Sequence, residues 1–88
     1  MDDIIMRVAD CFSLGEAGIA LSGELESGTL TAGDRVRLSK GAQHVEGDVR
    51  QLEIFRKMAS VAQKGDYISF LISSEAGNHW KDADVRKL

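Results

Sequence analysis

The 88-residue chain has no proline and a single cysteine, Cys11. Without proline, tight turns fall to Gly, Asp, Ser and Asn, whose backbones or side chains support the angles that turns need. One cysteine excludes an internal disulfide framework and any zinc site built from several thiolates. His44 and His79 have no second His or Cys at ligand spacing, so no metal and no cofactor is expected. Long apolar runs are missing too: Ile4-Ile5-Met6 is the apolar run nearest the start, against about 20 residues for a membrane-spanning helix. The start Met1-Asp2-Asp3 is acidic where a secretory leader is basic, and a cytoplasmic, reducing setting with no membrane contact is the expectation. Basic charge is not in excess, since 14 acidic residues oppose 11 basic ones for a net charge of −3. Proteins that hold nucleic acid through phosphates alone usually carry a basic stripe. Non-specific duplex binding is therefore not expected. A loose basic group at Arg50, Arg56 and Lys57 leaves contact with a small, defined RNA open.

What is present is alternation. Ile4, Met6 and Val8 share one parity, continued by Phe12; Ile19, Leu21, Gly23 and Leu25 share another run. Val36 and Leu38, then Val45, Gly47 and Val49, then Ile68, Phe70 and Ile72 repeat the pattern. Period two means strands with one buried face. Leu52 and Ile54 fall on the opposite parity to Val49, and a slip of one residue needs a bulge near Arg50-Gln51 or a strand break at Gly47-Asp48. Glycines punctuate the strands at Gly28, Gly33, Gly41 and Gly65. Short strands at this spacing predict one domain over residues 1–88, an all-β, closed, mostly antiparallel barrel that leaves no exposed edge. Its core is expected to hold Ile4, Met6, Val8, Ile19, Leu21, Leu25, Val36, Leu38, Val49, Leu52, Ile54, Ile68, Phe70 and Ile72. Only Lys57–Gln63 could form a helical turn, and Trp80 is the one large anchor of the polar tail, where Val85 and Leu88 could complete a last strand.

Phe12-Ser13-Leu14, Gly18 to Gly28 (Gly-Ile-Ala-Leu-Ser-Gly-Glu-Leu-Glu-Ser-Gly), Gly33-Asp34, Leu52-Glu53-Ile54-Phe55-Arg56-Lys57 and Gly65-Asp66 follow one another in order. As a set they resemble the second, β-barrel domain of the translational GTPases, elongation factor Tu and its relatives, over about Met6 to Ser73. The resemblance implies a docking module without the GTPase domain, facing tRNA or ribosomal RNA. It implies a pocket for the terminal adenosine of an aminoacylated tRNA end at Ala20, Glu53 and Leu71, and a pocket near the amino acid at Asp10, Phe12, Ser22 and Tyr67. Ala9 stands where elongation factor Tu is acidic, Tyr67 replaces a smaller amide, and Glu24 replaces a common arginine. Parity agrees in part, placing Ala20, Ser22, Glu53, Tyr67 and Leu71 outward, where rings and a carboxylate can hold a splayed base.

Plainer readings stand beside these. Glu53 could be a solvated strand glutamate or pair with Arg50 or Arg56; Tyr67 and Leu71 could pack beneath the tail carrying Trp80; Arg56 and Lys57 could be a solvated turn. The alternative function is a protein-interaction or scaffold barrel, a homodimer or small adaptor, or a fragment of a larger chain. Catalysis is not expected, because Cys11 has no histidine near it in sequence and reads as a structural thiol. No segment matches the Gly-x-x-x-x-Gly-Lys-Ser/Thr loop that cradles phosphates. Calorimetric titration with GTP and magnesium is accordingly expected to be flat, and a saturable micromolar signal would contradict that expectation.

Overall fold

The structure, a computed structural model, describes residues 4–73 and 80–88. The described residues hold eleven short strands, most of them from the alternating segments: β1 (Ile4–Arg7), β2 (Asp10–Ser13), β3 (Ile19–Glu24), β4 (Thr29–Thr31), β5 (Arg35–Lys40), β6 (Gln43–Asp48), β7 (Arg50–Ile54), β8 (Lys57–Met58), β9 (Val61–Gln63), β10 (Tyr67–Ile72) and β11 (Asp84–Lys87). A 3-10 turn at Gly15–Ala17 is the one helical element among the described residues. Every pairing is antiparallel. The ladders form three sheets, ordered β1-β11-β5-β6, β2-β3-β10-β7-β8 and β4-β9. Among the described residues no single ladder closes on itself. The architecture observed is thus all-β and antiparallel, with three sheets around one core.

Two turns are closed by a Gly-Asp pair. In Thr31-Ala32-Gly33-Asp34 the Thr31 amide donates to Asp34 Oδ2 at 2.8 Å, and the Asp34 amide donates to the Thr31 carbonyl at 2.9 Å. Gln63-Lys64-Gly65-Asp66 repeats this, with 2.8 Å to Asp66 Oδ2 and 3.0 Å to the Gln63 carbonyl. A short carboxylate that folds back onto the backbone fixes such a turn, while glycine supplies the positive φ.

The larger sheets meet where β1 crosses β3. Met6 and Leu25 form an isolated bridge, and the Glu26 amide donates to the Ile5 carbonyl at 2.7 Å. A Cβ at Gly23 would stand 2.6 Å from the Arg7 carbonyl oxygen and 2.7 Å from Met6 Cε, so only glycine admits the neighbouring strand so closely. Beneath this crossing lies one cluster that includes Met6, Val8, Ile19, Leu21, Leu25, Val36, Leu38, Val49, Leu52, Ile68, Phe70 and Ile72. Leu30, Ala62, Trp80, Ala83 and Val85 join it.

Several expectations need correction. Ile4 is 42% exposed and Ile5 buried, because the β1–β11 register shifts between Ile4 and Met6 and a bulge reverses the side-chain phase. Phe12 is 63% exposed: the chain leaves one sheet after β1 and joins another at β2, and there Cys11 packs against the core instead. Ile54 is only half-buried, at the edge of that core. Lys57–Gln63 forms no helical turn; β8 and β9 occupy it. Leu88 lies just past β11 and is exposed. The slip after Val49 is real: β7 starts at Arg50, Gln51 has φ +49°, and the β10–β7 register shifts between Ser69 and Leu71.

On the outer face of β5–β6, Arg35 pairs with Asp48 at 3.1 Å and Arg37 with Glu46 at 2.6 Å, each pair directly opposite in register. The Arg37 hydrogen bond holds the Glu46 carboxyl below its ordinary range, against an opposing effect of desolvation and with help from the charges of Arg37 and Arg35. A carboxyl with a depressed folded-state pKa adds stability above its unfolded pKa and loses it as pH falls through the folded value. Acid titration of unfolding is therefore expected to show a component in that window that Glu46→Gln removes. Gly23→Ala is expected to destabilise the fold by more than about 2 kcal/mol in urea unfolding, since the new methyl group meets backbone. Gly28→Ala, at φ +68° in open space, is expected to cost about 1 kcal/mol. Equal losses at the two positions would remove the crowding argument.

Candidate functional site

The outer face of the five-stranded sheet follows from register. Asp10 pairs with Ser22, Ser22 with Ser69, Ser69 with Glu53, and Glu53 with Met58, so these five residues form one row across β2, β3, β10, β7 and β8. The next row runs Phe12, Ala20, Leu71 and Arg50. On the other side Tyr67 pairs with Glu24. Residues directly opposite in an antiparallel ladder have Cβ atoms about 5 Å apart. The rows therefore set the candidate residues side by side.

Two depressions lie on this face. The smaller, about 100 Å³, is lined by Ala20, Glu53 and Leu71 together with Leu14, Gln51, Ser69 and Phe70. The larger, about 440 Å³, is lined by Phe12, Ser22, Tyr67, Ile68 and Ser69 together with Phe55 and Arg56. Ser69 borders both. The three residues expected at a terminal-base pocket thus converge on one depression, and three of the four expected beside it converge on the next. Asp10 lines neither and sits next to Ser22 in the ladder.

Leu71 was expected to point outward and is on the outer face, yet it is only 8% exposed. Tyr67 remains 44% exposed, while Trp80 is buried at 2% within the core cluster. Residues 74–79 of the tail that leads to Trp80 lie outside the described residues. Glu53 makes no ion pair with Arg50 or Arg56. Arg50 donates instead to Ser73 Oγ at 2.6 Å. Lys57 pairs with Ile54, one position out of phase with Met58, so it faces away from the row that holds Glu53.

Sequence reasoning passed over Leu14, Gln51, Ser69 and Phe55. Gln51 was within reach, because it sits at the phase slip, where it has positive φ and lines the same depression as Glu53. Phe55 and Arg56 form the whole loop between β7 and β8, since Ile54 and Lys57 are paired across it. Both have positive φ, 50° and 67°, the pattern of a two-residue hairpin turn that Asn-Gly normally fills. Left-handed backbone costs an ordinary residue about 1–2 kcal/mol, so this turn holds two large side chains against local preference.

Burial pushes the Cys11 thiol up, with the Trp80 backbone and Lys40 pulling it partly back, and a protonated thiol is a poor nucleophile. No group of three or more metal-ligating side chains occurs among the described residues; His79 lies outside them. No helix among the described residues is long and apolar enough to cross a membrane.

No family model matches the chain. Elongation factor 1-alpha of Pyrobaculum aerophilum is 35% identical over 80 residues, 91% of this chain. The chain spans only 18% of that protein's length. Over nearly its whole extent, then, this all-β chain is similar to one segment of an elongation factor.

Proposed function

We propose that the chain is a non-catalytic docking module of translation-factor type, whose five-stranded face receives the unpaired end of an RNA. The convergence of Ala20, Glu53 and Leu71 on one depression carries this proposal. Apolar walls from Ala20, Leu71 and Leu14 offer a base a stacking surface, and the Glu53 carboxylate, which has no ion-pair partner among the described residues, accepts hydrogen bonds from ring or sugar donors. The similarity to an elongation factor segment supports the same direction. In this proposal the three sheets act as a closed barrel, a shape that the Met6–Leu25 bridge and the contact of Gly47 with Ile72 favour. GTP and catalysis play no part, the working compartment is the cytoplasm, and tRNA or ribosomal RNA is the partner.

A second reading, a surface for a protein or for another copy of the chain, draws on Phe12, Phe55, Met58 and Tyr67, all exposed. Clustered apolar exposure commonly marks an interaction surface, and the net charge of −3 does not favour RNA.

Glu53→Ala separates the two. Under the RNA proposal it weakens binding of a short single-stranded RNA by at least about fivefold, as expected for a lost hydrogen bond to a charged acceptor. Thermal stability changes little, because a partly exposed carboxylate without an ion pair contributes little to folding. Wild-type protein that binds no RNA above background and dimerises in light scattering would favour the second reading. Unfolding of the Glu53→Ala variant would assign Glu53 a structural role instead.

A further inference from the structure

We infer that the outer edge of β6 is a pairing site for a second copy of the chain, with the two β6 strands running antiparallel about Val45. β6 belongs to the four-stranded sheet and the candidate depressions lie on the five-stranded one, so this site stands apart from the RNA-end proposal. β6 ends its sheet and is paired with β5 alone. At six residues it is the longest of the strands that end a sheet, and its pairing with β5 runs without a shift. Proteins blunt such edges with lysine, proline, a bulge or a very short strand. β1 carries a register shift and β8 is two residues long, whereas Gln43–Asp48 has none of these devices.

The edge offers a definite set of open groups. The Val49 amide donates toward the β5 side, to the Asp34 carbonyl at 2.7 Å. Alternation then turns the amides and carbonyls of Gly47, Val45 and Gln43 toward β5, and those of Glu46 and His44 away from it. Neither His44 nor Glu46 makes a backbone hydrogen bond to an element beyond β5 among the described residues. A second β6 laid antiparallel, with Val45 opposite Val45, sets His44 of each copy opposite Glu46 of the other. Each facing pair exchanges both of its backbone hydrogen bonds.

Side chains select the same register. Residues directly opposite share a face, so each His44 imidazole stands beside a Glu46 carboxylate. His44 is exposed and has no ion pair among the described residues. Glu46 takes both Arg37 hydrogen bonds, at 2.8 and 2.6 Å, on Oε2. Its Oε1 lies 3.8 Å from Arg35 Nη2, beyond hydrogen-bond reach, and is open to an imidazole N–H. Sliding one copy to the next register that keeps faces matched sets Glu46 against Glu46 or His44 against His44. Val45, half-buried at the edge of the core, gains cover from its own copy on the other face. Such a contact uses the same patch twice and closes at a dimer.

All variants are made in the whole chain. Sedimentation equilibrium is expected to show a dimer that grows with concentration up to about 1 mM. His44→Pro removes an amide that points to the partner and leaves the β5–β6 hydrogen bonds in place. It is expected to weaken association at least about tenfold with little change in Tm. His44→Glu, which sets like charges opposite each other, is expected to weaken association too, and Glu53→Ala to leave it unchanged. Register is read from single cysteines in a Cys11→Ser background. Mild oxidation is expected to cross-link Val45→Cys, whose paired Cα atoms would stand about 4.5 Å apart. It is expected to spare His44→Cys, at about 8 Å, beyond the reach of a disulfide. Wild-type protein that stays monomeric, or association that survives both His44→Pro and His44→Glu, would overturn the inference. Cross-linking at His44→Cys but not at Val45→Cys would overturn it as well. Association abolished by Phe55→Ser and untouched by His44→Glu would place the contact on the five-stranded face and overturn it again. If His44→Pro unfolds the chain, His44→Glu and the cross-linking pattern decide.

Discussion

The fold depends on one close approach, that of β1 to β3 at Gly23. Two open sheets of this size would each leave an apolar face in water, and a chain of 88 residues has little core to spare. Bringing the Arg7 carbonyl and the Met6 side chain against the bare α-carbon of Gly23 lets the four-stranded and five-stranded sheets share one interior. Leu25, one bridge from Met6, is fully buried as a result. The β4–β9 pair adds Leu30 and Ala62 to the same interior. Any residue larger than glycine at position 23 would push the sheets apart at their joint, and the loss would spread through the cluster because cores are close-packed.

The candidate site is a by-product of the same arrangement. Once Ile19, Leu21 and Gly23 face inward, Ala20, Ser22 and Glu24 must face outward; Ile68 and Phe70 impose the same on Tyr67 and Ser69. The unbroken six-residue register between β3 and β10 aligns those outward residues into rows. The bulge at Gln51 then brings β7 back into phase, so that Leu52 is buried and Glu53 joins the row of Ser22 and Ser69. Core formation and the outer face thus follow from one alternation.

This explains what could be read from the sequence and what could not. Long alternating runs, Ile19–Leu25 and Ile68–Ile72, gave the buried face correctly and with it the outward set. The slip after Val49 was also visible, because apolar residues stand on both sides of it. Ile4 and Phe12 misled, since a bulge and a change of sheet leave no mark in a short apolar run. Thr29–Thr31 and Val61–Gln63 are too short to show a period, so Leu30 and Ala62 went unnoticed. Register decides which outward residues become neighbours, and one chain read alone carries almost no information about register. Ala20, Glu53 and Leu71 were grouped by resemblance, and their convergence on one depression came only from the strand pairings. The Phe55–Arg56 turn was missed because its backbone conformation runs against its composition.

The chain has one tryptophan and one tyrosine, and the fold places them in opposite environments. Trp80 is packed inside the shared core, and Tyr67 stands on the outer face beside the larger depression. Indole emission responds to loss of the interior, whereas phenol absorbance responds to what approaches the face. Each chromophore is the only one of its kind, so the protein carries separate optical reporters of unfolding and of occupancy, without any introduced label.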